Sequence, residues 1–116
     1  MNSVISREIP VDENPTGIRI IKGRACQYRP AICAIDLVEV DFDRKDYRGD
    51  GIYLLEGYEN GVVTWRGSRR FLNRIVGGLF MDEDGQGNWK PACDLDAEQL
   101  RIVAQVPTVY KPTTEF

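Results

Sequence analysis

The chain has 116 residues, a length that fits one domain and that buries a modest core without disulfides or metals to hold it. Hydrophobic residues make up 42%, which excludes wholesale disorder, and the net charge of -3, from 15 basic and 18 acidic residues, disfavours direct DNA binding by this domain alone. There is no histidine, which removes Ser-His-Asp and Cys-His catalysis together with the commonest metal ligand.

The three cysteines, Cys26, Cys33 and Cys93, show no Cys-x-x-Cys spacing, and an odd set of this kind reads as reduced intracellular thiols. No apolar run approaches the ~18 residues that span a bilayer. Residues 1–15, MNSVISREIPVDENP, carry acids where a secretion signal needs an apolar stretch. A cytoplasmic protein with no membrane partner, no metal and no cofactor is the expectation.

In chain order, residues 1–16 read as a flexible N-terminal arm or an edge strand, and 17–110 as the folded domain. GIRIIKG (17–23) is a β-branched run between glycines, hence a strand. RACQYRPAICA (24–34) contains Pro30, has no clear period and reads as a loop or irregular strand. IDLVEVDF (35–42) is the best strand, followed by the charged turn DRKDYRGDG (43–51). GIYLLEGYE (51–59) and VVTWRGS (62–68) form a hairpin around Asn60-Gly61, residues that tolerate the positive φ of a type I′ turn. RRFLNRIVGGLFMD (69–82) fits either a helix broken at Gly77-Gly78 or strand-turn-strand. DEDGQGNW is an acidic turn, WKPAC a short edge strand because of Pro91, and DLDAEQ a turn or a single helical turn. LRIVAQVPTVY (100–110) is the final strand, with Leu100, Ile102, Ala104 and Val106 on one face, and 111–116 form a loose tail. Strands with turns every 8–12 residues predict a mostly β fold, a rolled sheet or partly open barrel.

The order of these pieces resembles the C-terminal domain of LexA and the phage repressors, a peptidase-like family. Pro30 falls where the family places a proline after its nucleophile. Asp36-Leu37-Val38-Glu39-Val40-Asp41 matches its Asp-Leu-Val-x-Val-Asp run, and Gly51-Ile52-Tyr53-Leu54 its next strand. Gly61-Val62-Val63-Thr64-Trp65-Arg66 resembles the lysine-bearing strand. Asn88-Trp89-Lys90-Pro91 and the run from Leu100 to Val106 resemble the last two strands. By this resemblance the nucleophilic serine is replaced by Gln27 and the lysine base by Trp65, neither of which can do the chemistry. Trp65 would fill the vacated cleft. Cys26 lies one residue from the nucleophile position, and a one-residue slip in a strand reverses the face.

Arg66, Arg69, Arg70 and Arg74 form the only basic cluster, able to offer forked guanidinium groups to a phosphate or a carboxylate partner, or to be a solvated face. Ser68 among them reads as a turn serine. Asp82, Glu83 and Asp84 before Gly85 lack the ligand alternation of a calcium loop and read as an acidic turn. Asp41, Asp43, Asp46 and Asp50 are spread through another. The resemblance implies a non-enzymatic regulatory or dimerisation module, catalytically inactive, with the strand Leu100, Ile102, Ala104, Val106 as the place for a homodimer or another protein partner. A residual peptidase and an unrelated β-barrel binding module are the alternatives.

Overall fold

The computed structural model describes residues 15–74, 76, 78–82, 84–92, 95 and 98–112. Seven strands form one antiparallel sheet: β1 (Ile18–Lys22), β2 (Leu37–Asp41), β3 (Gly51–Glu59), β4 (Val62–Arg74), β5 (Gly78–Asp82), β6 (Trp89–Pro91) and β7 (Leu100–Tyr110). Their spatial order is β1-β2-β7-β3-β4-β5-β6, and the sheet is not closed into a barrel. The fold is thus mostly β, as the spacing of turns predicts. A 3-10 turn, Gly23–Ala25, opens the loop between β1 and β2. No helix among the described residues is long and apolar enough to cross a membrane.

The hairpin turn is the one its dipeptide specifies: Asn60 and Gly61 take φ of 53° and 78°. The ambiguous stretch 69–82 resolves as strand-turn-strand. β4 runs on to Arg74, and Gly78, at φ 78°, opens β5. Ser68 is therefore not a turn residue but a fully buried strand residue.

β3 is central and covered on both faces. Ile52 and Leu54 enter one cluster, here the front, with Ile21, Val38, Val40, Phe42, Ala104 and Val106. Tyr53 and Leu55 enter the back cluster with Phe71, Met81 and Ala92. Successive strand residues point to opposite faces, so the two clusters lie on opposite sides of the sheet. The loop after β1 closes the front through Ala25, Cys26, Tyr28 and Ile32. Tyr47 and Leu95 pack on the back.

β7 does not present one face along its length. Leu54 pairs with Ala104 and Leu55 with Ile102, so Val103 is an extra residue, a β-bulge. The bulge sends Leu100 and Ile102 to the back cluster and Ala104 and Val106 to the front. This corrects the single-face reading of the strand.

The residues 1–14 of the predicted arm and 113–116 of the predicted tail lie outside the described residues. Lys111, the first residue of that tail, is tied down: its Nζ donates to Ala31 O at 2.9 Å and to Asp36 Oδ2 at 2.5 Å.

Candidate functional site

Gln27 and Trp65 are not brought together. Gln27 is exposed, on the loop that covers the front. Trp65 is half-buried and packs with the back cluster. Its indole lies across two glycines of the sheet. A Cβ on Gly67 would stand 2.8 Å from Trp65 Cζ2, and one on Gly57 would stand 3.3 Å from its Cε3. The Arg69 guanidinium stacks 4.6 Å from the ring. Beside the indole is a hollow of about 200 Å³ lined by Leu55, Trp65, Arg69, Met81 and Leu100.

On the front, Ser68 and Cys26 are both buried. Burial pushes the Cys26 thiol up to about 11, a rise that the neighbouring Ser68 hydroxyl only partly offsets, and the thiol is thus protonated at neutral pH. Ser68 Oγ itself makes no hydrogen bond of ordinary geometry. Cys26 and Cys33 are free thiols, and Cys93 lies outside the described residues.

Asp82 is a residue the sequence reading misplaced. It ends β5 and is 4% exposed, not part of a solvated turn. Its Oδ2 accepts from the Tyr28 hydroxyl at 2.9 Å and from Gly87 N at 3.2 Å, while Oδ1 has no partner. Burial first, then the hydrogen bond and charge of Asp82, push Tyr28 up to about 12. The pair ties the front loop to the β5 end of the sheet. A Tyr-to-Asp link across 54 residues leaves no local sequence signal.

The basic cluster does not converge. On β4, Arg66, Arg70 and Arg74 alternate with Arg69, which faces the back. Arg66 is engaged within the sheet by Glu56, which is 6% exposed and also accepts from Arg101 Nη2 at 2.9 Å. Burial works against ionising Glu56, but the hydrogen bonds and charges of Arg66 and Arg101 outweigh it and hold the carboxyl below its ordinary value. Arg74 lies 5.5 Å from the Phe80 ring. Of the four arginines, Arg66 is thus engaged by a carboxylate, and Arg69 and Arg74 lie over aromatic rings.

The acids of the first turn serve local structure. Asp50 Oδ1 accepts from the Tyr47 hydroxyl at 2.7 Å and from Asn73 N at 2.8 Å. Asp84 accepts from Gln86 N and Asn88 Nδ2 in the second turn. Among the described residues no group of three or more Cys, Asp or Glu is placed to hold a metal ion.

Of the four residues expected to meet a second copy, Ala104 and Val106 are buried in the front cluster, and Leu100 and Ile102 are half-buried against the back one. β7 pairs with β3 through residues 100–106 and with β2 through residues 105–110, so only the second half of the strand has β2 beside it. Exposed apolar side chains lie at several other places, Ile35, Val62, Val63 and Val76 among them. Ile18 and Ile20 of β1, Leu37 of β2 and Tyr110 of β7 are 62%, 53%, 49% and 47% exposed. Cross-strand register puts all four on the back face of the β1–β2–β7 end of the sheet. No family model matches the chain, and neither a curated protein nor a solved structure matches it.

Proposed function

We propose that this domain is a non-enzymatic regulatory module of repressor-like lineage that acts by associating with another protein chain. The observation that carries this reading is the exposure of Ile18, Ile20, Leu37 and Tyr110 on one face, interleaved with Lys22, Glu39 and Asp41. Contiguous exposed apolar groups on one face are the usual mark of an interaction surface. The positions the resemblance assigns to catalysis add support. Gln27 and Trp65 sit on opposite sides of the sheet, and the nearest thiol, Cys26, is sealed and protonated.

Sedimentation velocity of the full chain across the micromolar range tests the reading. The expected result is a sedimentation coefficient that rises with concentration. A strict monomer at the highest concentration overturns association with a second copy as the mode of action. Intact-mass measurement after alkaline incubation tests the non-enzymatic part, and a clean cut upstream of Gln27 sinks it.

A further inference from the structure

We infer that two copies of this chain join edge to edge through β1, antiparallel and centred on Ile20. The inference rests on the associating function proposed above and specifies its seam.

β1 stands at one end of the sheet and, among the described residues, pairs only with β2. The phase of its backbone follows from two hydrogen bonds. Phe42 N donates to Gly17 O at 2.9 Å just before the strand, and Gly23 N donates to Asp36 O at 2.7 Å just after it. In an antiparallel ladder the inward groups recur at every second residue. Residues 17, 19, 21 and 23 therefore face β2, and the N–H and C=O groups of Ile18 and Ile20 and the N–H of Lys22 point away from the sheet, while the Lys22 carbonyl accepts from Cys26 Sγ at 4.0 Å.

The same three residues carry their side chains on the back face, where Ile18 and Ile20 are largely exposed. A twofold axis normal to the sheet at Ile20 sets Ile20 against its own copy and Ile18 against Lys22 of the second copy. The Ile20 pair exchanges two bonds and each outer pair adds one from the Lys22 N–H, about four N–H···O bonds in total. The apolar face continues across the seam from one pair of isoleucines to the other.

Charge fits this register. Arg19 falls opposite Ile21 and Lys22 opposite Ile18, so no like charges are directly opposed, and the two Arg19 side chains stand on a diagonal. Asp41 flanks Ile18 on β2. Two strand spacings, about 9.6 Å, separate its column from that of Lys22 in the second copy, within the combined reach of the two side chains.

The other end of the sheet is built differently. β6 has three residues and carries Lys90 and Pro91, which blunt an edge against pairing. β1 has five residues and neither proline nor bulge. A seam of five residues buries less than a standard interface, which places the dimer in the weak class.

Two variants of the full chain test the seam. Ile20→Pro removes an N–H that points outward, a position where an edge strand tolerates proline. It is expected to abolish concentration-dependent sedimentation while the circular dichroism of the sheet is kept. Ile20→Cys, in a Cys33→Ser, Cys93→Ser background, is expected to give an oxidant-dependent disulfide dimer, because opposed residues of a hydrogen-bonded pair lie about 5.5 Å apart at Cα. Val62→Cys, exposed on the distant hairpin, is the control and is expected to cross-link at most slowly. If a folded Ile20→Pro chain associates like the wild type, or Ile20→Cys cross-links no faster than Val62→Cys, the seam is wrong and the associating function stands. A wild-type chain that never associates overturns both.

Discussion

Glu56 lies at the end of a buried run on β3, where a lone carboxylate would be destabilising. Two arginines from the flanking strands reverse that balance and depress its pKa. A depressed carboxyl contributes stability that is fully present above its unfolded value and is lost as pH falls through the folded one. Asp36 acts in the same direction. Burial opposes its charge, but the Cys33 amide at 2.7 Å and Lys111 at 2.5 Å outweigh it. Glu56→Gln is expected to lower stability at neutral pH by about 1–3 kcal/mol. It should also flatten the loss of stability on acidification through the carboxylate range. Denaturant titrations at several pH values check both, and an unchanged acid limb would mean that Glu56 is not a source of it. Cys26 and Tyr28 work at the other end of the scale. Their folded values are raised from 9.0 to about 11 and from 10.0 to about 12. The neutral forms are favoured in the fold, so stability is full below about pH 9 and falls as pH climbs toward the folded values. Thermal unfolding of Cys26→Ala is expected to show a shallower alkaline decline than the wild type.

Elements were legible where a single local rule decides them. Asn60-Gly61 announces its turn, and Leu37, Val38 and Val40 announce β2. The faces were less legible. β3 reads as a strand from Gly51-Ile52-Tyr53-Leu54-Leu55, but a continuous apolar run does not say which residue belongs to which cluster until both covers are known. The final strand misleads for another reason. Its apolar residues keep a period of two from Leu100 to Val106, yet the bulge at Val103 shifts the phase, and that bulge is set by pairing with β3 rather than by β7 itself. Among the site residues, the sequence drew attention to Gln27 and Trp65 by their order in the chain. It could not show that β4 turns Ser68 rather than Trp65 toward the loop holding Cys26, because the packing of that loop on the front is non-local. The two-sided burial of β3 gives a direct prediction. Leu54 and Leu55 are both fully buried, although neighbours in a strand with one solvated face would differ sharply. Leu54→Ala and Leu55→Ala are each expected to lose about 2–5 kcal/mol by denaturant unfolding. A mild result at either position would remove one of the two covers.

At the scale of the molecule, the last strand in sequence is an interior strand in space. β7 joins a β1–β2 pair to the β3–β4–β5–β6 meander, and no other strand pairing connects those halves among the described residues. It also supplies Ala104 and Val106 to the cluster that Val38 and Val40 share with Ile52 and Leu54. A chain ending at Gln99 therefore loses eleven strand residues and also leaves facing edges of β2 and β3 without partners, with much of the front core open to water. The expectation is a chain with no cooperative thermal transition. A chain ending at Pro112 keeps β7 and the Lys111 contact to Asp36, and is expected to unfold cooperatively near the wild-type midpoint. The comparison separates position in sequence from position in the sheet, because β6, nearer the middle of the chain, is a three-residue edge. Pro91→Ala there leaves the ladder intact and is expected to shift the midpoint little. Circular dichroism and calorimetry on the three chains decide the matter. A cooperative transition in the chain ending at Gln99 would contradict the strand order and with it the interior position of β7, returning the final strand to the list of available edges.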